Sequence, residues 1–264
     1  MDLQLDGATR LVFIVGDPIA QVKSPAGVSR LLQDQGLNAL VMPAHVLPAD
    51  LRAWVDAVGR MRNVDGLIAT VPHKFACFDL CTSATARASF VRSANVMRRL
   101  PDGRWHGDMC DGQAQVVSMR KHGCQFEGRR ALLAGAGGAG SAIAHAFVEA
   151  GVGELAIHDT NTTRRDALVT RLAALGRCPV RAGSRDVRGF DIVSNATPLG
   201  MAEGDPLPFD VDGLAPGVFV SCVVTVPAIT PLVAAAKALG CPRSSGSDMF
   251  GAVRGVIVEF LAGA

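Results

Sequence analysis

The chain has 264 residues, 49% of them hydrophobic, and a formal net charge of +2, which is length enough for one large α/β unit or two domains that each bury a core. No apolar run approaches the roughly 18–20 residues that cross a bilayer. The basic residues are scattered pairs, Arg98–Arg99, Arg129–Arg130 and Arg164–Arg165, not the stripe that follows nucleic acid, so neither a membrane nor a nucleic acid is an expected partner. The opening MDLQLDGATR lacks a basic segment followed by an apolar one, and the expected location is the cytoplasm. Seven cysteines at irregular spacing, with no Cys-x-x-Cys, predict reduced thiols and no metal site.

In chain order, the β-branched run Leu11–Val15 predicts a buried strand ending at the turn Gly16-Asp17-Pro18. A helix is expected to open at Ser24-Pro25, since proline suits a first helical turn. Ala39–Val46 predicts a second strand, Pro48–Met61 a helix with apolar residues at 51, 54, 55 and 58, and Gly66–Val71 a third strand stopped by Pro72. That alternation predicts a mostly parallel sheet. Asn95–Leu100 and Arg104–His106 flank Pro101-Asp102-Gly103, a hairpin signal. Asp111-Gly112 opens a helix running to Lys121, and a domain boundary is placed there.

From Arg129 a second series begins, with strands at Arg130–Ala134, Glu154–His158, Asp191–Asn195 and Gly217–Val224 and helices at Gly138–Ala150, Thr162–Leu175 and Thr230–Leu239. The amphipathic stretch Met249–Leu261 needs a partner surface and is expected to return to the first domain. The fold class is therefore α/β with two domains: residues 1–110, completed by the segment 240–264, and a dinucleotide-binding domain over 111–239.

The second domain earns that description from Gly135-Ala136-Gly137-Gly138-Ala139-Gly140, which follows the apolar strand and precedes the helix opening at Ser141. Gly135 would permit the tight turn, Gly137 the approach of a pyrophosphate, and Gly140 close helix–strand packing. Gly138 and Ala139 lie where the helix N-terminus offers free N–H groups. Asp159 ends the next strand, nineteen residues after Gly140. A carboxylate there can accept both ribose hydroxyls of NAD and repel the 2′-phosphate of NADP; its other reading is an N-cap. Arg164 and Arg165 follow closely and favour NADP. NAD is the expected cofactor, NADP the second.

Several further segments, in order along nearly the whole chain, resemble the shikimate and quinate dehydrogenase family. They are Gly16-Asp17-Pro18-Ile19 with Lys23-Ser24-Pro25, Thr70-Val71-Pro72-His73-Lys74, Ser93-Ala94-Asn95, Gly107-Asp108-Met109-Cys110-Asp111-Gly112, the glycine loop, Asn195 to Met201, and Gly246 to Met249. The resemblance implies an N-terminal α/β substrate domain, a Rossmann dinucleotide domain, a cleft between them, and a role in aromatic amino acid biosynthesis. It implies Lys74 and Asp111 as the catalytic pair and Ser24, Thr70 and Asn95 as substrate contacts. Thr197, Met201 and Met249 would lie at the nicotinamide. Each keeps a plainer reading. Lys74 could be a solvated residue at a helix start, Asp111 and Ser24 helix caps, Thr70 a strand-end residue, Asn95 a turn former and Met249 core.

Oxidising a secondary alcohol requires hydride to leave carbon while a positioned group takes the hydroxyl proton. Lysine in water titrates near ~10.4; burial lowers that value and a neighbouring carboxylate raises it. Lys74 beside Asp111 is the candidate for that role.

Four positions depart from the family pattern. Val22 stands where a second serine is usual, Ile68 where Asn is usual, Thr225 near the place of a Tyr, and Val253 where the last helix usually carries a Gln. Each replaces a polar substrate contact with an apolar or shorter side chain. Dehydrogenase chemistry is expected with weakened activity on shikimate, or on a less polar cyclic alcohol or hydroxy acid, with Lys23 as a compensating contact to a substrate carboxylate. The alternative is a dinucleotide-binding regulatory protein whose catalysis has decayed. The chain is expected to act as a monomer or homodimer.

Overall fold

The computed structural model describes residues 5–20 and 22–263. They form two compact units, residues 5–110 with 254–263, and Asp111–Val253.

The first unit begins β1 (Arg10–Gly16), α1 (Ser24–Asp34), β2 (Ala39–His45), α2 (Leu51–Val58), β3 (Val64–Ala69) and α3 (Lys74–Leu80). It continues with β4 (Ser83–Ala84), α4 (Ala86–Val91), β5 (Val96–Arg99) and β6 (Trp105–Asp108). Its sheet runs β2-β1-β3-β5-β6-β4. The β2, β1 and β3 strands are parallel, but β5 is antiparallel to both β3 and β6. β4 pairs parallel with β6, so β5 alone runs against the other strands and the expectation of a mostly parallel sheet holds. The hairpin turn at Pro101-Asp102-Gly103, with Gly103 at φ +84°, sets β5 antiparallel to β6. Val15, Val55, Val64, Leu67, Cys77 and Met97 form the core.

The second unit holds α5 (Asp111–Lys121), β7 (Arg130–Ala134), α6 (Gly138–Glu149), β8 (Glu154–His158), α7 (Thr162–Ala173) and β9 (Val180–Ala182). Then come β10 (Ile192–Asn195), β11 (Phe219–Cys222), α8 (Pro231–Ala238), β12 (Arg243–Ser244) and α9 (Gly246–Ala262). Its sheet order is β12-β11-β10-β7-β8-β9, with every pairing parallel. Counted from β7 this is the 3-2-1-4-5-6 order of a Rossmann sheet. Leu132, Val193, Phe209, Val220 and Leu232 lie in its core.

The sequence placed the return to the first unit at residue 240. The division falls instead inside α9, between Val253 and Arg254. The reason is local: β12 pairs with β11, and a side chain on Gly246 would collide with the Val224 carbonyl, so the start of α9 is held to the second sheet. Beyond Arg254, Leu261 occupies the hollow left by Gly66 and Phe260 stacks on His106 at 5.7 Å.

Candidate active site

In the first unit the carboxyl ends of β1 and β3 meet. Thr70 donates its N–H to Val15 O at 3.0 Å, and Asp17 donates to Val71 O at 3.0 Å. The loop after Gly16 and the Thr70–Lys74 segment therefore run side by side, at the strand ends where open α/β sheets bind ligands. Buried His73 contacts Val46 O through Nε2 at 2.7 Å and anchors the turn from which α3 starts. Lys74 is the first residue of that helix, half-buried, and its carbonyl accepts the Ala94 N–H at 2.9 Å.

The next residue, Asn95, is only 3% exposed. Its N–H donates to Asp108 O at 2.9 Å and its carbonyl accepts from Ala69 at 2.8 Å. Its side-chain Oδ1 accepts the Cys110 N–H at 2.8 Å. Lys74, Asn95 and Cys110 are thus tied by backbone and amide hydrogen bonds, and Asp111 is the next residue in the chain and the first of α5. The bond from the Cys110 N–H fixes the orientation of the Asn95 side chain beside Cys110. Ser24 is the first residue of α1, while the cap position is Lys23, whose side chain caps nothing. Lys23 itself is exposed.

In the second unit the glycines sort themselves by their surroundings. Gly135 has φ +102°, and a Cβ there would lie 2.9 Å from the Ala196 carbonyl. At Gly140 a Cβ would strike the Gly135 carbonyl oxygen, well inside contact distance. Both are required by internal packing. Gly137 is different: a Cβ would meet nothing within 4 Å. It is the N-cap of α6, with no side chain bonded to the helix's first N–H groups, those of Gly138 and Ala139 among them. Open space and undercapped N–H groups at one helix start suit a dinucleotide pyrophosphate.

Asp159 does not cap α7. That cap is Asn161, which accepts the Arg164 N–H at 3.0 Å. Asp159 is 6% exposed; its carboxylate accepts the Ala136 N–H at 2.7 Å and the Asn161 N–H at 2.8 Å. Arg164 Nη2 lies 2.9 Å from both of its oxygens. Burial alone would raise this carboxyl's pKa, but the hydrogen bonds from Ala136, Arg164 and Asn161 outweigh it and hold the group below the usual carboxylate range. Thr197 Oγ1 donates to Asn195 Oδ1 at 2.6 Å, so its hydroxyl builds the turn after β10. Met201 is 58% exposed, and Met249 is buried.

A family model for the shikimate dehydrogenase substrate binding domain matches residues 14–97. The shikimate dehydrogenase (NADP(+)) of Rubrobacter xylanophilus is 36% identical over 251 residues, 93% of this chain and 88% of its own. The chain belongs to the shikimate/quinate dehydrogenase family. It is accordingly an NAD(P)-dependent oxidoreductase. Among solved structures, shikimate 5-dehydrogenase from Listeria monocytogenes, in complex with shikimate and NAD, superposes with a TM-score of 0.91 at 23% identity, covering 100% of this chain and 95% of its own. Quinate dehydrogenase from Corynebacterium glutamicum, in complex with NAD, gives 0.86 at 28% identity over 97% and 94% of the two chains.

Three structural features of this dehydrogenase carried no sequence signal strong enough to find. Asn195, fully buried, donates through Nδ2 to Thr197 O at 3.4 Å and Leu199 O at 3.2 Å and shapes the loop after β10. His45 Nε2 lies 2.8 Å from Asp17 Oδ1, placing a titratable pair at the ends of β2 and β1. Asp108 lies fully buried against Arg87. Each joins residues far apart in sequence or uses an ordinary residue type in an unusual environment. Among the described residues no helix is long and apolar enough to cross a membrane.

Proposed function

We propose that the protein interconverts a cyclic secondary alcohol of the shikimate or quinate kind and its ketone, with NAD preferred over NADP, and that Lys74 holds the hydroxyl proton as hydride is transferred. The observation that carries this reading is the hydrogen-bonded series from Lys74 O to Ala94 N and from Asn95 Oδ1 to Cys110 N. It ties the backbone of Lys74, the side chain of Asn95 and the residue before Asp111 together at one end of a sheet. NAD, when bound, supplies the hydride acceptor. Lys74 would take the proton leaving the substrate oxygen, Asp111 would orient the amine, and the Asn95 N–H2 would donate to a substrate hydroxyl.

On the cofactor side, the N–H groups at the start of α6 would receive the pyrophosphate, and Asp159 the ribose hydroxyls. Asp159 already accepts four hydrogen bonds, two of them from Arg164. Arg164 is 51% exposed, so it would turn to solvent when a ribose hydroxyl takes its place, or face a 2′-phosphate when NADP binds. Met201 and Thr197 would flank the nicotinamide, with Met249 behind them.

The substrate would be less polar than shikimate, or bound more weakly. Ile68 is buried in β3, Val22 and Val253 are half-buried, and Thr225 is exposed; none brings back the polar contact it replaces. Losing a hydrogen bond to a charged group costs roughly 1.5–3 kcal/mol. Lys23 is the compensating cation.

The test is reduction of NAD and NADP at alkaline pH, followed at 340 nm, with shikimate, quinate and related cyclic alcohols. Turnover that vanishes in Lys74→Ala supports the reading. NAD binding without turnover of any alcohol would favour a regulatory protein instead.

A further inference from the structure

Asp108 is the last residue of β6 and is fully buried. Four donors surround its carboxylate. Thr85 Oγ1 donates to Oδ1, Arg87 donates through Nε to Oδ1 at 2.7 Å and through Nη2 to Oδ2, and the Cys110 thiol points at Oδ2 from 3.5 Å. Thr85 is also the N-cap of α4, accepting the Ala88 N–H at 3.3 Å, and its own N–H donates to Gly107 O at 3.0 Å. Arg87, the second residue of the short helix, therefore meets the carboxylate as a fork with both ends fixed.

A buried ion pair is weak evidence for stability, since apolar side chains of similar volume usually serve as well. What this pair does have is location. The backbone oxygen of Asp108 accepts the Asn95 N–H, and two residues later the Cys110 N–H donates to Asn95 Oδ1. Residues 108–110 therefore clasp Asn95 from two sides, and the carboxylate of Asp108 locks that clasp to α4. The same strand end leads directly into Asp111.

We propose that Arg87 and Asp108, with Thr85, are positioning residues for the reaction: they hold the β6 end so that Asn95, and Cys110 where the chain leads into Asp111, keep a fixed place relative to Lys74. The proposal rests on the reading of Lys74, Asn95 and Asp111 given above. On this proposal neither Arg87 nor Asp108 needs to touch the substrate. They act through the backbone, where a displacement of about 1 Å reduces turnover by on the order of 100-fold.

The experiment compares Arg87→Ala, Arg87→Lys, Asp108→Asn and Thr85→Val with the parent and with Lys74→Ala. The full chain is used, with rates expressed per folded molecule. Arg87→Ala and Asp108→Asn are expected to lower kcat by about tenfold to 100-fold, with substrate KM changed far less and NAD affinity, measured by titration, unchanged. Arg87→Lys keeps the charge but not the fork and is expected to stay impaired, whereas guanidinium ion added to Arg87→Ala restores part of the rate. Should the stronger variants not fold, Thr85→Val removes a single hydrogen bond and is expected to show the same fall in kcat in milder form. Unchanged kcat in every folded variant, with only the melting temperature reduced, overturns the proposal and leaves the pair a structural one. Full activity in Lys74→Ala overturns the catalytic reading itself, and with it any positioning role, and so separates the two failures.

Discussion

Oδ2 of Asp159 accepts the backbone N–H of Ala136 across 2.7 Å, so the carboxylate ending β8 and the first bend of the glycine loop form one hydrogen-bonded piece. Cofactor choice and loop geometry are coupled through that bond. Asp159→Asn is expected to lower kcat/KM with NAD by about tenfold, the equivalent of ~1.4 kcal/mol, and to shift preference toward NADP. Arg164→Ala should act in the opposite sense, releasing two hydrogen bonds on Asp159 for the ribose and weakening NADP. Parallel steady-state measurements with both cofactors check the pair; equal effects on NAD and NADP would refute the assignment.

Gly137 and Gly140 make a matched control. Gly140→Ala drives a methyl into the Gly135 carbonyl and is expected to lower the melting temperature and abolish cofactor binding together. Gly137→Ala meets open space in the protein, so the chain should melt within a few degrees of the parent while NAD affinity falls at least tenfold, because the added methyl occupies ligand space. Thermal melts and NAD titrations on the same samples tell the two apart.

The Asp108 carboxyl sits below the ordinary value of 3.8: burial alone would raise it, but the hydrogen bonds from Arg87 and Thr85 outweigh burial. Its folded pKa is depressed, so its contribution to stability is complete above about pH 4 and fades as pH falls through the lower folded value. Asp108→Ala is expected to cost about 3 kcal/mol at pH 7, the low end for a broken buried pair, since Arg87 keeps a third of its side-chain exposure. Asp108→Asn should flatten the acid limb of the stability curve below pH ~4. Urea melts at stepped pH measure both.

The apolar substitutions near the proposed substrate make a gain-of-function prediction. Val253→Gln, alone or with Val22→Ser, is expected to lower KM for shikimate, by roughly tenfold if one charge-assisted hydrogen bond is regained. Lys23→Ala should raise KM several-fold for substrates bearing a carboxylate and leave neutral cyclic alcohols unaffected. An unchanged KM for carboxylates would remove Lys23 from the site.

Much of the architecture could be read from local patterns. α5 and the strands β7 and β8 lie where their hydrophobic runs and turn residues put them, because Gly, Pro and the period of burial act within a few residues. The glycine loop was legible for the same reason. Short elements such as β4, β9 and β12 were not, since two or three residues carry no period and exist only by pairing with a neighbour. The bond from Cys110 to Asn95 Oδ1 was equally hidden: an Asn before a hairpin reads as a turn former until the segment fifteen residues on is seen beside it. Asp159 could be read two ways, and only the position of Asn161 as the α7 cap separated them.

The helix α9 contributes its last residues, from Arg254, to a unit whose other members all lie at or before Cys110. As the chain leaves the ribosome, Gly66 waits for Leu261, and His106 for Phe260, until about 150 residues after β6 have been made. The Rossmann sheet needs nothing that late. The half of the molecule synthesised first is therefore the half completed last, and it is the nascent N-terminal sheet, with its unfilled Gly66 hollow, that chaperones or proteases would meet during synthesis.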